Sequence, residues 1–219
     1  MTETRGTDAG PERTVVHLLR HGEVHNPNHV LYGRLPGYHL SAAGRMMADA
    51  AADYFDGRPV AAVFASPLER AQETAQPVAG RLDLPIITDD RLIESGNVLE
   101  GKSVSLASLA VNPLNWKYLW NPFTPSWGEP YAQVVARVRQ VIDRARDEAR
   151  GQEAVCVSHQ LPIWVSRLAA EHKRLWHNPN SRQCALGSVT SLTFDGDELT
   201  GVSYAVPPRR PVANSDRAQ

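Results

Sequence analysis

Three short stretches of the chain each set a basic or hydroxyl side chain directly after an apolar run. TVVHLL (14–19) ends in Arg20–His21–Gly22, PVAAVFA (59–65) ends in Ser66 with Arg70 four residues on, and AVCVS (154–158) ends in His159. Two guanidinium and two imidazole groups thus follow segments that read as strands, and such a set suits a phosphate dianion. A neutral imidazole is a nucleophile near pH 7 without a partner base. The arginine forks would neutralise phosphoryl oxygens as charge redistributes in the transition state. That chemistry predicts a phosphohistidine, later hydrolysed by water. The departing alkoxide needs a general acid, and Glu94, in RLIESGNVLEG just after a further apolar run, is the candidate. Singly, each residue has an ordinary reading as a structural histidine, a solvated arginine or a surface carboxylate. Their joint placement carries the argument.

For these groups to meet, the segments before them must be neighbouring strands. TVVHLL, PVAAVFAS (59–66), LPIIT (84–88) and AVCVS read as buried strands. Between them, SAAGRMMADAAADYF (41–55) reads as a helix capped by Ser41. Ser66 and Glu69 have the spacing of a capping box, with Pro67 at the first helical position of the next helix. Residues 129–150 form an amphipathic helical pattern through Val134, Val135, Val138, Val141 and Ile142. LPIWVSRLAAEH reads as a short helix, and ALGSVTSLTF and ELTGVSYAV as a closing pair of strands. This alternation predicts a three-layer α/β/α sandwich with a mainly parallel sheet, whose site lies at the carboxyl ends of the strands. The expected organisation is a single domain over 14–206 between polar tails, 1–13 and 207–219. Residues 105–130, with Trp116, Trp120 and Trp127 among prolines, read as a lid or insertion.

The bulk properties narrow the partners. A net charge of −1 and a pI near 6.7 give no global field for nucleic acid or an anionic membrane, which leaves a small phosphate ester. No run approaches the roughly 20 apolar residues of a membrane span, and the N-terminus lacks the apolar core of a signal peptide. Cys156 and Cys184 fall in apolar runs without metal-binding spacing and read as reduced core residues, pointing to the cytoplasm. No metal or other cofactor is expected. HGEVH (21–25) has the wrong order for a zinc helix. GNVLEGKS (96–103) fits the phosphate-loop pattern of nucleotide hydrolases, but no apolar strand immediately precedes it. His25 and His39, in the loop after His21, are placed either to touch substrate or to be surface residues.

The ordered set resembles a known family. LLRHGEVHN resembles the Arg-His-Gly signature of the histidine phosphatase superfamily, in its phosphoglycerate mutase-like branch. SPLERAQETA resembles its second-arginine segment, AVCVSHQLPIW its second-histidine segment, and GEPYAQVVARV its Gly-Glu-Ser helix start, with Pro130 where Ser is usual. The resemblance covers roughly residues 14–205. It implies that His21 is the phosphorylated nucleophile, that Arg20, Arg70 and His159 hold the phosphoryl group, and that Glu94 donates the proton, with Glu100 in reserve because the stretch to Gly101 is one residue short. It further implies that Asn26 contacts phosphate, and that Gln160, where a glycine commonly follows the second histidine, crowds the pocket or reaches the substrate. The family holds both phosphatases and mutases. Residues 105–130 contain Lys117 and no arginine, with Trp116, Tyr118, Trp120, Phe123 and Trp127 instead. That favours a phosphatase for an ester with an apolar or ring-containing body. The alternatives are a phosphoglycerate mutase-type phosphotransferase and a non-catalytic binder of phospho-ligands. The aromatic segment would equally serve as core or as the contact of a homodimer.

Overall fold

Val, Leu, Ala, Phe and Cys run almost unbroken through three of the strands, the pattern of strands covered on both faces. In the computed structural model, which describes residues 12–96, 100–101 and 128–208, these are β1 (Arg13–Arg20), β2 (Val60–Ala65) and β4 (Glu153–Ser158). With the short β3 (Ile86–Thr88) they lie parallel in the order β3-β2-β4-β1. β5 (Val189–Asp195) then pairs antiparallel with β1, and β6 (Glu198–Ala205) antiparallel with β5.

Alternate side chains of a strand face opposite ways, and the two cores follow that period. Leu18, Phe64 and Cys156 pack with Val134, Val138 and Val141 of α3 (Tyr131–Glu148) and with Ile163 of α4 (Gln160–Ala170). Leu19, Val63 and Val157 pack on the other face with Ala51 and Phe55 of α1 (Ala42–Phe55) and Val78 of α2 (Glu69–Leu82). The result is the expected three-layer sandwich.

Register places the strand ends level. Arg20 pairs with Ser158, Ala65 with Val157 and Ala65 with Thr88. The ladder continues one residue into each loop: His21 N–H donates to Ser158 O at 3.0 Å and Ser66 N–H to Val157 O at 2.9 Å. The backbones of His21 and Ser66 are therefore held by the sheet rather than by flexible loops.

The helix starts divide. Ser41 caps α1 as expected, accepting from Gly44 N–H at 3.0 Å. The capping box at Ser66 does not form. α2 begins at Glu69 with Leu68 at its cap and no side-chain cap bond, because the Ser66 hydroxyl is engaged by His159 and the Glu69 carboxylate by Gly37 N–H. β3 starts two residues later than expected, since Leu84 N–H still bonds Ala79 O at the end of α2. The segment read as a lid lies outside the described residues except for residues 128–130, as do most of the two tails and all but Gly96, Glu100 and Gly101 of GNVLEGKS. Among the described residues no helix is long and apolar enough to cross a membrane.

Candidate active site

Arg20, His21, Ser66, Arg70 and His159 meet at the carboxyl edge of β1, β2 and β4. The His21 and His159 rings lie 5.1 Å apart between centroids, tilted by 56°. Both imidazoles and Arg70 are almost wholly buried. Gly22 is required by close approach: a Cβ there would stand 2.5 Å from the carbonyl oxygen of Gly44, in the first turn of α1. The Arg-His-Gly signature thus lets the loop leave β1 against a helix start.

Hydrogen bonding sets the tautomer of His21. His21 Nδ1 lies 2.7 Å from Gly22 O, which can only accept. Nδ1 therefore carries the proton and Nε2 the lone pair. Burial, and then the charges of Arg20 and Arg70, hold the His21 pKa down to about 3, so the ring stays neutral. His159 is lowered well below the usual histidine value by burial, His21 and the same two arginines. Its Nε2 lies 2.7 Å from Ser66 Oγ. With Ser66 donating, His159 Nδ1 bears a proton that an anionic oxygen can accept.

The arginines are anchored at one end. Arg20 Nη1 donates to Cys184 O at 2.6 Å, and Arg70 Nη2 to Gly33 O at 2.6 Å. The Arg70 guanidinium sits over the Tyr32 ring at 4.8 Å, a cation–π contact. Arg20 Nε, Arg70 Nε and Nη1, and His159 Nδ1 are buried without a partner among the described residues. Buried donors without partners are rare, and four on three adjacent residues mark a place built for an acceptor-rich anion.

Glu94 is half-buried, and Arg34 Nε grips its backbone carbonyl at 2.7 Å. Burial raises its carboxyl pKa above the ordinary range, opposed by the Ser95 N–H bond and by Arg20, Arg70 and Arg182. A carboxyl whose pKa is raised holds its proton to higher pH than usual, which suits a proton donor. Glu100 lies against Gly33 and acts electrostatically on Arg70. Asn26 Nδ2 donates to Val30 O at 2.8 Å and its Oδ1 accepts from Val30 N–H at 3.0 Å. Both ends of that amide staple the loop. Gln160 Oε1 accepts from Arg182 Nη1 at 3.3 Å. His39 pairs with Glu73 on α2, and His25 bonds His39 through the backbone, 3.0 Å from N–H to carbonyl.

Two residues that sequence reasoning missed stand here. Thr74 is wholly buried on α2; its Oγ1 accepts from Gly22 N–H at 3.0 Å and donates to Arg70 O at 2.7 Å, tying the two signature segments together. Arg182 reaches the site from the chain before β5, where no motif announced it. A separate cavity of about 270 Å³ opens at the other end of the sheet, around His17, Glu153, Arg58 and Ser191. Its polar groups satisfy one another: His17 bonds Ser191 at 2.8 Å and Glu153 at 3.0 Å, and Arg58 forks onto Glu153 at 2.7 and 3.1 Å.

Comparison with known proteins gives the family and the fold. The family profile described as histidine phosphatase superfamily (branch 1) matches residues 16–207. An uncharacterized protein of Mycobacterium tuberculosis is 57% identical over 198 residues, 90% of this chain and 98% of the relative. A probable phosphoglycerate mutase of Yersinia enterocolitica is 29% identical over 182 residues, 80% of this chain and 83% of its own. Among solved structures, a mycobacterial glucosyl-3-phosphoglycerate phosphatase superposes with a TM-score of 0.72 at 23% identity, covering 89% of this chain and 98% of that one.

Proposed function

The chain belongs to the histidine phosphatase superfamily, and from that premise we propose that it is a metal-independent phosphomonoesterase working through a phosphohistidine on His21. The observation that carries this reading is the tautomer of His21, whose Nδ1 is fixed on Gly22 O so that the Nε2 lone pair is available between Arg20, Arg70 and His159.

The reaction has two in-line displacements. In the first, Nε2 forms a bond to phosphorus as the ester P–O bond breaks, and the leaving alkoxide takes the Glu94 proton. In the second, Glu94, now a carboxylate, accepts a proton from water as the water oxygen attacks phosphorus. The N–P bond breaks, inorganic phosphate leaves, and the lone pair returns to Nε2. Arg20, Arg70 and the His159 N–H stabilise the phosphoryl oxygens in both steps. Asn26 acts in this scheme as the staple that shapes the loop, and Gln160 acts on the substrate side through Arg182.

The test is phosphate release from p-nitrophenyl phosphate by wild type and His21→Ala, with acid-labile phosphoenzyme trapped in the wild type. Loss of both turnover and phosphoenzyme in a folded His21→Ala is the expected result. Equal rates in the two proteins would remove His21 from the chemistry. Rapid interconversion of phosphoglycerates without phosphate release would favour the mutase alternative, and phosphate-ester binding without turnover the non-catalytic one.

A further inference from the structure

Among the described residues five arginines approach the pocket, and they fall into two groups. Arg34 and Arg137 share one carboxylate: Glu129 accepts from Arg34 Nη2 at 2.9 Å and from Arg137 Nε and Nη2 at 2.9 and 3.0 Å. Arg20, Arg70 and Arg182 bond only neutral acceptors among the described residues, namely Cys184 O, Gly33 O, His177 Nε2 and Gln160 Oε1. A phosphomonoester dianion carries two negative charges, which Arg20 and Arg70 balance. Arg182 is a third cation that forms no ion pair among the described residues, although the Glu94 carboxyl acts on it through space.

Arg182 is also built in place. Its Nε donates to His177 Nε2 at 2.8 Å, and its Nη1 to Gln160 Oε1 at 3.3 Å. His177 can accept because its own Nδ1–H donates to Leu175 O at 2.7 Å. The His177 ring is held by stacking on Tyr131 at 5.4 Å and by the edge of Trp164 at 5.9 Å. Gln160 follows His159 directly, and Cys184, two residues past Arg182, holds Arg20. Arg182 therefore sits on the rim between the two ends of the phosphate pocket. Two of its five N–H groups are engaged, and both on Nη2 have no partner among the described residues. The same contact gives Gln160 a role: its side-chain oxygen holds a guanidinium.

We propose that Arg182, oriented by His177 and Gln160, grips a second anionic group of the substrate, which is therefore a phosphomonoester that also carries a carboxylate or a further phosphate. A guanidinium fork matches either group, with two parallel charge-assisted bonds. The inference rests on the phosphomonoesterase reading above.

The experiment compares kcat/KM within matched pairs. 3-Phosphoglycerate against glycerol 3-phosphate reports the carboxylate, and fructose 1,6-bisphosphate against fructose 6-phosphate the second phosphate. Wild type is expected to prefer the more anionic member of at least one pair by tenfold or more, and the preferred pair identifies the group. Arg182→Gln should shrink that ratio by about 10- to 100-fold, as expected for losing a hydrogen bond between charged groups. Arg182→Lys, which keeps charge and loses the fork, should fall between. Gln160→Gly, which releases only Nη1, should lower the ratio by a smaller factor and serves if Arg182 variants do not fold. No preference in wild type, or a loss shared equally by both members of a pair, overturns the assignment. His21-dependent release from p-nitrophenyl phosphate in the same preparations separates the two failures. If it is present with an unchanged ratio, only the role of Arg182 is refuted; if it is absent, the phosphomonoesterase reading falls and this inference with it.

Discussion

Ser66→Ala isolates one hydroxyl on which the phosphate pocket depends. Ser66 and His159 are both wholly buried, and 2.7 Å separates Oγ from Nε2. Oγ also lies 3.4 Å from Leu68 N–H, which can only donate to it, so the hydroxyl proton is available for His159. Removing the hydroxyl has two consequences. It leaves a buried ring nitrogen unpaired, at a stability cost of about 1–3 kcal/mol. It also frees the tautomer, so that Nδ1 can present a lone pair instead of a proton to the phosphoryl oxygens. A hydrogen bond to a charged group is worth about 1.5–3 kcal/mol, so kcat/KM should fall about 10- to 100-fold. The assay is steady-state hydrolysis of p-nitrophenyl phosphate by wild type, Ser66→Ala, His159→Ala and the double variant. If Ser66 acts through His159, Ser66→Ala adds little in the His159→Ala background, and Ser66→Thr recovers most of the rate. A Ser66→Ala protein with wild-type kcat/KM, or losses that multiply in the double variant, would refute the positioning role.

Glu94→Gln should slow alkyl phosphate hydrolysis by about 100-fold or more; with p-nitrophenyl phosphate it should spare the first burst of nitrophenolate, whose departure needs no proton, and slow only the later attack of water; an equally slowed burst would shift the donor's role to Glu100. Because the donor must be protonated, wild-type kcat/KM for alkyl phosphates should fall as pH rises through the elevated Glu94 pKa, and Glu94→Gln should lack that limb. Global stability should drop on acidification below about pH 6.5, the usual histidine value, because His17, His21 and His159 resist protonation when folded and take it up when unfolded. Each contributes up to about 1.4 kcal/mol per pH unit, and the His21 share is lost as pH falls from about 6.5 toward its folded value of about 3; urea titrations at pH 7.5 and 5.5 that give the same unfolding free energy would contradict this. Gly22→Ala should lower both the melting temperature and the turnover, since its methyl would overlap Gly44 O at 2.5 Å and overpacking costs about 1–3 kcal/mol; an unchanged melting temperature would count against the close-approach account.

Sequence periodicity was sufficient for the sheet and its helices, because β1, β2 and β4 are covered on both faces and read as unbroken apolar runs. The site was legible where chemistry directly follows a strand, as with Arg20, His21 and His159. It was illegible where a long-range partner overrides a local pattern. Ser66 and Glu69 have capping-box spacing, yet Ser66 is engaged by His159, 93 positions away in the chain. Asn26 had the position of a phosphate ligand, but a neighbour four residues on takes both ends of its amide. Arg182 sits in irregular chain, and its contacts, 5 and 22 residues away, follow no helix or strand period. The one local signal was Gln160, a long polar side chain where a small residue is usual.

The electrostatics of the pocket bear on why a buried imidazole beside two arginines would serve as the nucleophile in the proposed scheme. In the free protein burial, and then the charges of those arginines, oppose protonation of His21 and keep Nε2 unprotonated. Attack on phosphorus gives that ring the positive charge the arginines opposed. The arriving dianion resolves the conflict, because its two negative charges offset Arg20 and Arg70 just as the ring becomes cationic. The attraction between a cationic ring and the phosphoryl oxygens is then stronger in the transition state than in the bound ground state, where the ring is neutral, which is the condition for faster chemistry rather than tighter binding. A neutral substituent in place of Arg70 should therefore raise the His21 pKa in the free protein while slowing phosphoryl transfer. A folded variant in which neither the pKa nor the rate changes would mean that the arginine serves the fold alone. NMR titration of the His21 ring in Arg70→Met, set against its single-turnover rate, distinguishes the two cases.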